Sequence, residues 1–303
     1  MEYQEFVSVI REKVQIAAGK EANVSVSHIL KNNIPSVDGL TILRKGENIS
    51  PAIWLRPFFG QYQYGISIDK IAEEILEYHA RAERPAACDV SFYTDYEQVK
   101  KQIACKLVHA GMNEAMLREV PHRYFLDLAV VYYYKMEHPS FGNASILIKN
   151  DHLAIWNITP DELDRDAMRN MPDLLPFEFV SLADLIDELT GRSAEYLFQQ
   201  SVPMYVLTNC EKYFGAAVLL QESVRQEIGQ KLRSDYYILP SSIHECIVMP
   251  ILDELDPQLL HEMVKEINQE HVAEEEILSD SVYRYSRSED LLTIACCEIQ
   301  PQA

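Results

Sequence analysis

The pattern of elements along this chain predicts an α+β protein, with a helix-rich N-terminal part and a mixed, mainly antiparallel sheet with packed helices in the C-terminal part. Three observations lead there. Helical spacing of apolar residues dominates up to about Val120, and strand-like runs dominate after it. Those runs follow one another without the strand–helix–strand rhythm of a doubly wound sheet. The 303 residues, 48% of them apolar, suffice for a large core, in one large domain or two ordinary ones.

At the N-terminus, Phe6, Val7, Ile10 and Val14 recur at helical spacing and predict an amphipathic helix over 3–17. Strand-like runs follow at 23–30 and 40–43, with turns expected at 32–35 and at Asp38-Gly39. A third run, over 52–59, is interrupted by Pro57 and leads to Tyr62 and Tyr64. Ser67 then has the position of an N-cap. Ile68, Ile71, Ala72, Ile75, Leu76 and His79 share one face of the helix it opens, and Pro85 ends that helix. A histidine on such a stripe is expected to be packed, not a ligand.

Thr94-Asp95-Tyr96-Glu97 has the form of a capping box and predicts a third helix, burying Val99, Ile103 and Leu107. Gly111 and Pro121 frame a short helix and a turn. Strands are expected over 123–136 and 144–156. Thr159-Pro160-Asp161-Glu162 is a second capping box with proline at the first helical position, so a helix runs over 160–171. Beyond Met204 come strands at 205–207 and 215–220, a helix capped by Ser223, a hairpin over 236–250, a helix over 257–269 and strands at 282–284 and 291–295. The change of character at Pro121 suggests two lobes, 1–120 and 121–303, although no flexible linker separates them and they also fit one continuous domain.

The hairpin holds the densest polar cluster of the chain. Ser241, Ser242, His244 and Glu245 stand between Ile238-Leu239 and Ile247-Val248-Met249. The structural reading is a turn in which Pro240 presets φ and the serine hydroxyls cap backbone groups. His244 and Glu245 would then begin the second strand on opposite faces, and Ile247 and Met249 would be buried on one face. The catalytic reading makes Ser241 or Ser242 a nucleophile and His244 its base, with an acid from 253–280 orienting the imidazole. Neither GxSxG nor HExxH accompanies these residues. Ten glycines without GxGxxG or GxxxxGK[ST] give no support to nucleotide binding, and six scattered cysteines form no metal-ligand pattern. No cofactor or metal is expected, and the thiols are expected to be reduced.

The formal charge of −20 is concentrated near the end. Residues 253–280 hold ten acids against one base, Lys265, which disfavours direct nucleic-acid binding and favours a basic protein partner. Leu260, Met263, Val264 and Ile267 are expected inward on the 257–269 helix. Glu262, Glu266 and Glu270 lie opposite at i, i+4 and are the candidate partner-binding residues. No stretch reaches the roughly 20 apolar residues of a membrane helix, and the mixed-charge N-terminus differs from a secretory signal, so a cytoplasmic protein is expected.

Several phrases together carry a resemblance. They are Lys31-Asn32-Asn33 with Asp38-Gly39, the stretch 52–64, Tyr237-Ile238-Leu239-Pro240-Ser241-Ser242-Ile243-His244-Glu245, and Leu278-Ser279-Asp280-Ser281-Val282-Tyr283-Arg284-Tyr285. Over nearly its whole length the chain resembles a bacterial family of unknown function (family 5688 type, from Gram-positive gut anaerobes), and more distantly another uncharacterised cytosolic family of that phylum. The resemblance implies one continuous domain family and a cytoplasmic setting, and it transfers no activity. The expectation is therefore an interaction or regulatory module, with a hydrolase at the 236–250 hairpin as the alternative. A serine and a carboxylate meeting His244 in a concave pocket would mark the hydrolase; an exposed apolar or acidic patch would mark the module.

Overall fold

The computed structural model describes residues 1–34, 37–47, 50–81, 91–138, 142–191, 202–252 and 256–297. The chain divides into two units, Met1–Phe92 with His138–Gly142, and Tyr93–Glu137 with Asn143–Ala303. Pro121, the expected lobe boundary, falls inside the second.

In the first unit, helix α1 (Tyr3–Ala18) precedes an antiparallel sheet of β1 (Ala22–Ile29), β2 (Val37–Arg44) and β3 (Ile53–Trp54). Helices α2 (Leu55–Gln63) and α3 (Ile68–Arg81) follow. Phe6, Val7, Ile10 and Val14 of α1 and Ile71, Ala72 and Ile75 of α3 pack with Val24, Leu40 and Ile42 of the sheet. His79 is packed, as its place on the stripe implies, and its Nε2–H donates to Ile42 O at 2.9 Å.

Two local expectations change in this unit. Asp38-Gly39 lies within β2, not in a turn, with Gly39 opposite Ser27. A Cβ at Gly39 would come within 2.2 Å of Ile29 Cδ1, so any larger residue there would require the Ile29 side chain to move. The 52–59 run spends two residues in β3 and then turns helical. Pro57 fits because it stands in the first turn of α2, where backbone N–H groups have no intrahelical acceptor.

The second unit begins with α4 (Tyr96–Val99), whose cap is Asp95, accepting Glu97 N–H at 3.0 Å. The long helix expected from Thr94 stops after one turn. Its Ile103 and Leu107 belong to β4 (Ile103–His109), because β6 (Leu128–His138) pairs with that segment along its full length. Helix α5 (Glu114–Leu117) leads to β5 (His122–Phe125), which forms a hairpin with β6 across Leu126-Asp127. Leu126 takes a left-handed φ of 57° at that turn. Since β4 and β6 share a sheet, the chain on both sides of Pro121 is woven together. The 144–156 run also divides, into β7 (Gly142–Leu147) on β6 and helix α6 (Asn150–Trp156). The capping box of α7 (Pro160–Leu174) forms as expected, with Glu162 N–H on Thr159 Oγ1 at 3.3 Å and Thr159 N–H on Glu162 Oε2 at 2.9 Å.

A six-stranded antiparallel sheet completes the unit in the order β13-β12-β10-β11-β9-β8. Strand β8 (Phe177–Ser181) and helix α8 (Leu182–Thr190) come first, then β9 (Tyr205–Asn209). Residues 215–220, expected as a strand, form a fully buried 3-10 turn, with Ala217 N–H bonded to Phe214 O at 3.2 Å. Helix α9 (Glu222–Leu232) is capped at Gln221, so Ser223 lies inside its first turn. The hairpin pairs β10 (Tyr236–Leu239) with β11 (Cys246–Pro250), and α10 (Pro257–His271) precedes β12 (Val282–Ser286) and β13 (Leu291–Cys296). The fold is α+β, and no helix among the described residues is long and apolar enough to cross a membrane.

Candidate functional site

The polar cluster of the hairpin lies in the connection 240–245, ahead of β11. His244 and Glu245 thus precede the strand and do not begin it. The segment is pinned by 276–279, through Ile243 N–H to Glu276 O at 2.9 Å, Leu278 N–H to Ser241 O at 3.0 Å and Ser279 N–H to Pro240 O at 2.9 Å. His244 Nδ1 accepts the backbone N–H of Phe214 at 3.2 Å, which places the proton of a neutral ring on Nε2. That Nε2 faces Glu276 Oε1 at 3.6 Å. The ring lies parallel to Phe214, with planes 4° apart and centroids at 5.9 Å.

Ser242, which is buried, turns its Oγ to the His244 backbone N–H at 3.0 Å and bonds the Glu245 carboxylate. An acid of the 253–280 stretch does meet the imidazole, as the catalytic reading requires. The Ser242 hydroxyl, however, is joined to the His244 backbone and to Glu245 and not to the imidazole. A base needs a free ring nitrogen beside the hydroxyl it activates. Here one nitrogen lone pair is occupied and the other nitrogen carries a proton toward a carboxylate.

The backbone around this histidine is strained. Lys212 and Phe214 both adopt φ of 53°, a left-handed conformation costly for side chains of that size. The side chain of Asn209 holds the loop, accepting Glu211 N–H at 3.0 Å and donating to Tyr213 O at 2.9 Å. Lys106 of β4 places its ammonium 4.5 Å from the centre of the Phe214 ring, and burial lowers its amine to about 8.

Glu245 is half-buried, and its carboxyl is raised above the ordinary range by burial first and by Glu276 second, against the opposing pull of His244 and of the Ser242 hydrogen bond. A carboxyl raised in the folded state binds its proton more tightly there than in the unfolded chain. Stability therefore increases as pH falls through the folded value. Glu245→Gln is expected to raise the melting temperature at neutral pH, and the gain should vanish at pH values below the unfolded carboxyl range. Melting curves across that interval test this; a gain that is constant with pH contradicts it.

Beside Glu245 opens a cleft of about 790 Å3 on one face of the sheet, roofed by α8. The register makes that face a grid. Glu178 of β8 stands opposite Thr208 of β9, and one row further Val180 stands opposite Val206, which in turn faces Ile247 of β11. Glu245 extends the first row, because the residue after it, Cys246, is opposite Leu207. Helix α8 adds Leu182, Leu185, Asp184 and Glu188. Ile247, expected in the core, is half-buried at the edge of this cleft, whereas Met249 is buried. Strand β8 and helix α8 escaped the sequence reading, although the alternation Phe177-Glu178-Phe179-Val180 and the helical spacing of Leu182, Leu185 and Ile186 were there to find them.

The third candidate is α10. Leu260 and Val264 are buried as expected, and Glu262, Glu266 and Glu270 are exposed. Met263 and Ile267 instead lie 38% and 40% exposed, in line with Leu259 at 68%. The reason is polar. His261 Nδ1–H donates to Asp280 O at 2.8 Å, and Asn268 Nδ2 donates to Asp280 Oδ1 at 2.6 Å and to Ser279 O at 3.2 Å. These bonds fix the roll of the helix so that His261 and Asn268 face inward and the Leu259–Met263–Ile267 ridge faces out.

Together these features define an α+β protein with an apolar–acidic helix face and a separate cleft, whose most suggestive polar cluster is not assembled as a nucleophile–base pair. Residues 3–287 match the family of unknown function DUF5688, and the chain belongs to that family. No curated protein and no solved structure matches it significantly.

Proposed function

We propose that this protein is a non-enzymatic interaction module that docks a basic amphipathic helix of a partner protein on α10. The observation that carries the reading is the pair of parallel i, i+4 ridges, Leu259–Met263–Ile267 and Glu262–Glu266–Glu270, exposed side by side. Ridges spaced by four residues and the grooves beside them are what a second helix packs into. Apolar contact supplies the affinity, and the acidic ridge selects lysine or arginine flanks and speeds encounter. A bacterial cytoplasm belongs to the same proposal, and the free thiols at Cys105, Cys210, Cys246, Cys296 and Cys297 support a reducing compartment.

The test is the affinity of a synthetic helical peptide of leucine and lysine, followed by fluorescence anisotropy. Met263→Ser with Ile267→Ser is expected to weaken binding about tenfold, and so is the triple Glu→Gln variant at 262, 266 and 270. Raising salt from about 0.1 M to 0.5 M should weaken the native protein more than the triple variant, because exposed charges are screened. Equal affinities for all three proteins at both salt levels would reject the docking face.

A further inference from the structure

We propose that the cleft between α8 and the β8–β9–β11 face binds a small organic cation, an ammonium group carried on an apolar body. This site is separate from the α10 face. Three observations carry the assignment: the shape of the cleft, its grid of side chains and its charge.

A cleft of about 790 Å3 is of the size that encloses a small organic ligand. Its floor is ordered in two rows. Val180, Val206 and Ile247 form an apolar row, and Leu182 and Leu185 of α8 face it as further cleft-lining residues. The neighbouring row runs Glu178, Thr208, Glu245, with a carboxylate at each end and a hydroxyl-bearing residue between. Glu178 on β8 and Glu245 just ahead of β11 are two strand spacings apart, roughly 10 Å. An ammonium above Thr208 would thus lie between both carboxylates while its apolar body covers the valine row.

The charge balance points the same way. Glu178, Glu245, Asp184 and Glu188 line the cleft against Lys212 and Lys231. Lys231 is already engaged, with its ammonium 3.4 Å from Phe179 O and 5.0 Å from the centre of the Phe179 ring. An anion entering here meets like charge, whereas a cation gives the half-buried Glu245 carboxylate a partner in surroundings where burial otherwise disfavours its charge. The cleft is also bordered by Lys212, in the strained 209–214 loop, and such strain concentrates at ligand sites.

The experiment is calorimetric titration of the full chain with phenethylamine, with 2-phenylethanol and with 3-phenylpropanoate, three probes that share an apolar body and differ in charge. Phenethylamine is expected to bind at least about tenfold more tightly than either of the others. Glu178→Gln with Glu245→Gln should remove that preference, and Val180→Trp, which fills the cleft while leaving every acid in place, should abolish binding of all three. Native far-ultraviolet circular dichroism and a cooperative melting transition establish that these variants are folded. Amide shifts induced by the amine should cluster on β8, β9, β11 and α8. The proposal is overturned if 3-phenylpropanoate binds as well as the amine, if the folded double variant keeps the preference, if shifts fall elsewhere, or if no amine binding is measurable at about 10 mM.

Discussion

Asp127→Ala is expected to destabilise the second unit by about 3–5 kcal/mol, one of the two largest effects in the protein. Asp127 stands in the turn of the β5–β6 hairpin, and its carboxylate is the common acceptor for three hydroxyls of one segment. Ser279 and Ser281 donate to its Oδ2 at 2.6 and 2.8 Å, and the buried Tyr283 donates to its Oδ1. Burial, together with this carboxylate, holds the Tyr283 phenol well above its ordinary range, so the hydroxyl stays a donor at all physiological pH values. Removing the acceptor leaves buried donors without a partner, which costs more than the bonds were worth net. Asp127→Asn keeps one oxygen and should lose about half as much. Chemical denaturation, with amide exchange at 279–283 as the local readout, measures both. An unchanged midpoint for the alanine variant would show that these bonds are dispensable.

Gly215→Ala is the second, with an expected cost of about 3 kcal/mol or more. A Cβ there would lie 2.2 Å from Thr208 Oγ1, 2.4 Å from His244 O and 2.7 Å from Asn209 N. Two of these atoms belong to backbone, so no rotamer change relieves the overlap. The same shift would strain the Thr208 Oγ1–His244 O hydrogen bond of 2.8 Å and the Phe214 N–H bond to His244 Nδ1. Gly60→Ala in α2 is the control. Its Cβ would meet nothing within 4 Å, and alanine favours a helix by up to about 1 kcal/mol over glycine. Melting temperatures that move equally for the two variants would contradict this account.

The four phrases that carried the family resemblance now have partly physical explanations. Ser279, Ser281 and Tyr283 converge on Asp127, a residue more than a hundred positions away, while Asp280 receives Asn268. In the hairpin phrase, Pro240 and Ser241 supply carbonyls to 278–279, and Ser242 closes the turn onto His244 and Glu245. The proximity of hydroxyl, imidazole and carboxylate was legible in the sequence. Which atoms face one another was not, because Phe214 and Glu276 arrive from distant segments, the first bonded to Nδ1 and the second facing Nε2.

By itself the sequence determined the α+β class, the amphipathic helices α1, α3 and α7, and the β10–β11 hairpin. In each case local periodicity, capping and turn chemistry agree with one another. It also determined that the acidic residues of α10 lie on the surface, since a carboxylate without a partner resists burial. Tertiary structure alone decided the rest. The apolar run at 103–109 fits a buried helix or a buried strand equally well, and pairing with β6 selected the strand. The 215–220 run became a 3-10 turn, and α10 rolled outward on polar bonds to 279–280 that no helical pattern encodes. The cleft, too, depends on register, because it places Glu178 and Glu245 in one row only after three strands align. Such outcomes depend on contacts between residues far apart in the chain, and a local pattern carries no information about which distant partner will be present.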